Sequence, residues 1–192
     1  MLRWLYDRIM ALAAHRHAGW VLGAVAFAES SVFPIPPDAL LIPMVLARPR
    51  AAFRLALLAT VASVAGGLLG YAIGLALWET VGRAIVAFYG YEAEFARLRA
   101  LYADWGLWIV AVAGFTPFPY KVVTIASGVV GFPVLPFLLA SAVSRAGRFF
   151  LVAALLRAFG EAVRDFVERR LGLLTLLFVA LLVGGFLVLR HV

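Results

Sequence analysis

A chain of 192 residues that is 65% hydrophobic and 14% charged, with mean hydropathy +1.02, is far more apolar than a soluble globular domain, where charged residues alone make up about a quarter. The chain reads as a single all-α integral membrane domain over 1–192, because a spanning helix uses about 20 residues and no separate soluble domain fits beside several of them. The net charge of +7 is assigned to basic loops at a membrane surface rather than to nucleic acid, and a chain without cysteine has neither disulfides nor thiolate chemistry.

The first segment, 1–17, mixes Arg3, Asp7, Arg8, His15, Arg16 and His17 into apolar sequence, which breaks the uninterrupted hydrophobic run of a cleaved signal peptide. Leu2, Leu5, Ile9 and Leu12 recur at roughly helical spacing, so an interfacial amphipathic helix is expected there. Residues 18–33 and 39–47 are apolar but too short to cross alone, and between them lies Phe33-Pro34-Ile35-Pro36-Pro37-Asp38. One helix through 18–47 would hold Pro34, Pro36, Pro37 and Pro43, each removing a backbone donor and clashing one turn back. The segment is therefore expected to be a re-entrant hairpin whose proline tip is buried in protein or lines a cavity.

Residues 56–78 form the first expected spanning helix, with Ala62, Gly66, Gly70 and Gly74 every fourth residue as a stripe for close helix packing. Residues 79–104, with Arg83, Glu92, Glu94, Arg97 and Arg99 among tyrosines, read as a pair of interfacial amphipathic helices. The pattern then recurs: a short apolar segment 105–115, a second turn Thr116-Pro117-Phe118-Pro119-Tyr120-Lys121, and a short return 122–131. Aligned without a gap, Pro34 falls on Pro117, Pro36 on Pro119 and Asp38 on Lys121, so the turns share prolines and end in opposite charges. A second spanning helix is expected over 135–156, an amphipathic linker over 157–170 and a last transmembrane helix over 171–190.

If each hairpin returns to its own side, Arg3, Arg8, Arg16, Arg48, Arg50, Arg54, Arg157, Arg164, Arg169 and Arg170 share one face, against Arg83, Arg97, Arg99 and Arg190 on the other. Under the positive-inside rule the first face is cytoplasmic, which predicts a multi-pass protein of the inner (plasma) membrane with its N-terminus in the cytoplasm. The two hairpins then enter from opposite sides as an inverted repeat, the arrangement in which transporters place substrate at the repeat interface.

This topology leaves Glu29, Asp38, Lys121, Arg145 and Arg148 in the apolar layer, at about 2.5 to 3.5 kcal/mol each near a bilayer centre, so they are expected to pair or to face a cavity. Arg145 and Arg148 are three apart and share a helix face, and two guanidiniums with no acid near them in sequence suit a phosphate or carboxylate ligand. Lys121, the one lysine of the chain, adds a third cation. Glu29 and Asp38 can carry a proton through a transport cycle or neutralise the cations. No His, Cys or carboxylate grouping points to a metal, no cofactor is implied, and Ser30, Ser31, Thr116, Thr124 and Ser144 have no base placed to activate them, so an enzyme is not expected.

Glu29 followed by Pro34, Pro36 and Asp38, the glycine helix ending in Gly70-Tyr71 and Gly74, and the second turn Phe115 to Lys121 running on through Gly128 resemble the DedA superfamily, also called SNARE-associated or VTT-domain proteins. The Thr-Pro-x-Pro-Tyr-Lys form is similar to its YqaA branch, and the resemblance covers roughly 20–160. It implies two opposed re-entrant hairpins, movement of undecaprenyl phosphate or phospholipid across the bilayer, and functional roles for acids matching Glu29 and Asp38 and for second-half arginines. Where typical members carry arginines around the second turn, this chain has Thr116, Tyr120 and Lys121, which leaves a phospholipid headgroup such as phosphatidylethanolamine open beside undecaprenyl phosphate.

The expected function is therefore a flippase or scramblase for a lipid with a phosphate headgroup, acting with membrane lipids and protons as partners and without nucleic acid. A homo-oligomer stays open. A proton-coupled small-anion carrier and a structural membrane-homeostasis protein are the alternatives.

Overall fold

The computed structural model describes residues 15, 17–32, 36–116, 118–160 and 162. The interfacial helix expected over 1–17, apart from His15 and His17, the last transmembrane helix expected over 171–190, and Pro34 and Pro117 lie outside the described residues. Among the described residues the chain is all-helical. In order the helices are α1 (Ala18–Ser31), α2 (Asp38–Ala47), α3 (Ala52–Leu77), α4 (Arg83–Tyr89), α5 (Glu92–Phe115), α6 (Tyr120–Val130) and α7 (Val134–Gly160).

Among the described residues three helical stretches, Pro49–Tyr89, Glu92–Phe115 and Val134–Gly160, are long and apolar enough to cross a membrane. The exterior fits that solvent. Leu57, Val61 and Val143 are more than half exposed, while Ser30, Ser63, Thr124, Ser127 and Ser141 are fully buried. A chain that turns its branched aliphatics out and its hydroxyls in is built for a hydrocarbon surround. The protein is thus a helical membrane protein. Helix α1, at 14 residues, α2, at 10, and α6, at 11, are each too short to cross, since 14 residues of helix reach about 21 Å against a hydrocarbon core of about 30 Å.

The first spanning helix is longer than the sequence suggests. It starts at Ala52, and beyond Leu77 the chain stays helical through a π-helical turn, Trp78–Gly82, into α4. A Cβ on Gly82 would sit 2.9 Å from the Trp78 ring, so glycine is what lets the indole fold back along this turn. Gly90, at φ 69°, ends α4 in the left-handed conformation that glycine adopts without strain.

The pair of interfacial helices expected over 79–104 does not form as such. Nothing breaks the helix between Glu92 and Phe115: there is no proline, and Glu92 and Glu94 place negative charge in its first turn, where the helix dipole favours it. Its charged end is docked rather than free. The Phe95 and Trp78 rings stack with centroids 4.0 Å apart, and the Arg99 guanidinium lies over both rings while its Nε donates to the Val130 carbonyl at 3.2 Å. Residues 105–115 are therefore the second half of a 24-residue helix, not a separate short segment.

Helix α3 is the shared spine. Its first part packs on α1 and its second on α6, and the glycine stripe makes both contacts. A Cβ on Gly66 would fall 2.0 Å from the Phe27 carbonyl oxygen of α1, and one on Gly74 would fall 2.0 Å from the Ile125 carbonyl oxygen of α6. Between them, a Cβ on Gly70 would meet the Thr124 hydroxyl at 2.3 Å. Only hydrogen at these positions permits backbones to approach this closely.

Two apolar cores result. One joins Leu22, Leu41, Met44, Leu55 and Ala59 to Phe149, Ala153 and Leu156 of α7. The other joins Tyr102, Val110, Tyr120 and Val123 to Phe137 and Ala140 of the same helix. Along α7, Ser141, Ser144, Arg145 and Arg148 fall between the two cores, and Ser63 falls between the corresponding parts of α3. This polar seam is where the charges gather.

Candidate functional site

Arg145, Arg148, Glu29, Asp38 and Lys121, contributed by four helices, all line one cavity of about 250 Å³. Pro36, Pro37, Phe118 and Pro119 line it too, so the described prolines of both turns border the same space. Segments distant in sequence converge because α1 and α6 are both held against α3, one on each side of the seam.

Among the described residues Arg145 is the most buried charge, at 2% exposure. Its Nη2 donates to Glu29 Oε2 at 3.0 Å, and its Nε donates to Ser63 Oγ at 2.6 Å. The guanidinium is held between the rings of Tyr120 and Phe149, with its carbon 4.9 Å and 4.7 Å from their centroids. A cation facing two rings and a carboxylate is compensated in a place where water is excluded.

The hydroxyls around it form a directed chain. Ser63 Oγ lies 2.6 Å from Ser30 Oγ, and Ser30 Oγ also reaches the Ala26 carbonyl at 3.0 Å and Glu29 Oε2 at 3.2 Å. Ser30 has other acceptors for its proton and Ser63 has no other among the described residues, so every donor is used when Ser63 donates to Ser30. On the other side of Arg145, the Tyr120 hydroxyl donates to Ser141, and the Thr124 hydroxyl reaches the Ser30 carbonyl at 3.1 Å. Ser63 and Ser141 were not among the residues expected to matter. The available signal was that Ser63 lies one turn ahead of Gly66 on the packing face of an otherwise apolar helix.

Arg148 makes the second ion pair. Its guanidinium donates to the Asp38 carboxylate and to the carbonyl of Thr116. Asp38 opens α2 and Thr116 closes α5, so the carboxylate sits at the positive end of one helix dipole and the guanidinium at the negative end of another. The second carboxylate oxygen, Asp38 Oδ1, is buried without a hydrogen-bond partner among the described residues.

Arg145 and Arg148 have no acid near them in sequence, and pairing with Glu29 and Asp38 is one of the two expectations for these charges. The fold supplies an acid to each, from 116 and 110 residues earlier in the chain. The cation left over is Lys121, which lines the cavity half-buried at the start of α6 and has no ion pair among the described residues. Three cations against two carboxylates leave the cavity with one net positive charge. A site of this kind can accept a small anionic group at the lysine, and such a group can compete with Glu29 and Asp38 for the arginine forks.

No family model matches the chain, and no solved structure matches it. The chain is 38% identical over 187 residues to an uncharacterized protein of Haemophilus influenzae, covering 97% of each. It is 37% identical over 168 residues to a protein of Histophilus somni described as an uncharacterized HI0703 homolog, covering 85% of this chain and 87% of that one. Likeness at this level across nearly the whole length places the chain in the family that these two proteins represent.

Proposed function

We propose that this protein is a lipid translocase of the DedA type, a flippase or scramblase that carries a phosphate headgroup across the inner membrane through the charged cavity. In this reading α1 with α2, and the apolar second half of α5 (105–115) with α6, are the two hairpins of an inverted repeat inserted from opposite sides, with the N-terminus cytoplasmic. The observation that carries it is Lys121, which has no ion pair among the described residues, in a cavity where two arginine–carboxylate pairs meet the described prolines of both turns. Paired arginines can change partners without ever being left bare in the apolar layer, so a phosphate can enter at Lys121, take a guanidinium from Glu29 or Asp38, and return it on leaving. The freed carboxylate either takes up a proton or waits for its arginine, which would couple transport to protons in the first case and leave it passive in the second.

The test is reconstitution in liposomes with a fluorescent phospholipid whose outer-leaflet copies are reduced by dithionite. The expected result is loss of fluorescence beyond the outer-leaflet half, accelerated over protein-free vesicles. Purified, folded protein that moves phosphatidylethanolamine, phosphatidylglycerol and undecaprenyl phosphate no faster than empty vesicles would rule the reading out.

A further inference from the structure

Two apolar grooves run along α5. One, of about 600 Å³, lies between α5 and α6, with Trp105, Ile109, Phe118 and Val123 in its wall. The other, of about 720 Å³, lies between α5 and α7, with Leu107, Phe115, Leu139 and Val143 in its wall. Trp108, Val112 and Thr116 belong to both. Being four residues apart they stack along one side of α5, so they form the ridge that divides the grooves. That ridge ends at the charged cavity: the Thr116 carbonyl accepts from Arg148, and Phe118 is a wall of both the cavity and the α6-side groove.

We propose that the grooves seat the two acyl chains of one diacyl phospholipid whose headgroup lies in the charged cavity, so that the lipid straddles α5. This rests on the lipid reading of the cavity and says which class of lipid enters. Both grooves are lined almost wholly by hydrocarbon on helices surrounded by hydrocarbon, so an acyl chain is the occupant that matches them in chemistry. Two grooves that share a ridge whose end, Thr116, is bonded to Arg148 of the cavity match a molecule with two chains joined at one headgroup. A polyprenyl phosphate has a single chain and would leave one groove without an occupant of its own, and a small free anion would use neither.

The test labels the sites directly. Protein is placed in vesicles of phosphatidylethanolamine and phosphatidylglycerol that contain a trace of phosphatidylethanolamine with a diazirine midway along each acyl chain. After irradiation the adducts are mapped by mass spectrometry. Adducts are expected several-fold denser in both groove walls than at Leu57 and Val61, which are 55% and 59% exposed on α3 and line neither groove. Val143→Trp, at a residue 73% exposed, fills the α7-side groove and should remove adducts there while sparing the α6 side. Labelling no denser than at Leu57 and Val61, or dense in one groove alone, overturns the proposal. So does its loss from both grooves when undecaprenyl phosphate is added as a minor component. Labelling is read apart from transport: the expected pattern without lipid movement defeats the translocase reading and keeps the diacyl site, and movement without the pattern does the reverse.

Discussion

Arg145 and Glu29 are 116 residues apart in the chain, and their side chains meet at 3.0 Å in the interior. The guanidinium is 2% exposed and the carboxylate 15%. Replacing Glu29 by Gln keeps the shape and removes the countercharge, leaving a cation among rings and serines. By analogy with other buried pairs the loss should be about 3 to 5 kcal/mol, seen as a lowered thermal unfolding midpoint in detergent. The double variant Glu29→Leu, Arg145→Met should recover most of that loss, because it removes the charge together with its partner. A Glu29→Gln protein that unfolds like the wild type would show that the pair does not hold the two halves together.

Lys121 is the contrasting case. It lines the same cavity, is half-buried and has no ion pair among the described residues, so no described ion pair is lost with its charge. Lys121→Ala should leave the unfolding midpoint within about 0.5 kcal/mol of wild type, as for substitutions away from structural contacts. Lipid movement should fall tenfold or more, since a charge-assisted hydrogen bond is worth about 1.5 to 3 kcal/mol. Lys121→Arg should restore part of the rate. Equal transport rates in the wild type and Lys121→Ala would take the lysine out of the mechanism.

The five charges of the cavity were legible in the sequence because each interrupts an apolar run at a free-energy cost that function or pairing must offset. Which acid meets which arginine was not, since pairing across 110 or more residues is set by how α1 and α6 dock on α3 and leaves no local trace. The glycine stripe was readable for the opposite reason: close approach demands a period of four within one helix. The extent of α5 was lost because Glu92, Glu94, Arg97 and Arg99 resemble an interfacial helix, and only the Trp78 turn and the Val130 carbonyl, both distant in sequence, show where Arg99 is satisfied.

The glycines of α3 make a prediction with its own control. A methyl on Gly66 or Gly74 meets a carbonyl oxygen at 2.0 Å, and both neighbours are backbone that cannot rotate away. Gly66→Ala and Gly74→Ala should each destabilise by about 1 to 3 kcal/mol or force the helices apart. Gly147 is also in a long apolar helix, but a Cβ there meets only the Phe115 ring, at 3.5 Å. Gly147→Ala should be neutral or stabilising by up to about 1 kcal/mol through helix propensity. Similar midpoints for all three variants would mean that the close approach is not what sets stability.

Ser63 gives the sharpest test of the seam between the cores. Its hydroxyl accepts from Arg145 Nε and sits next to Ser30, so one small side chain joins α1, α3 and α7. Ser63→Ala removes the acceptor without adding bulk, and the Nε–H, 2% exposed with the rest of Arg145, loses its hydrogen-bond partner. Leaving a buried donor unpaired costs about 1 to 3 kcal/mol, more for a charged group, so the variant should unfold measurably earlier while keeping its helical circular dichroism. Ser63→Thr, which keeps the hydroxyl, should lie closer to wild type. Because Arg145 would lose an anchor but keep Glu29, the alanine variant should also bind an anionic headgroup differently, and comparing its labelling at the α5 grooves with that of Lys121→Ala separates an arginine that positions the site from a lysine that receives the ligand.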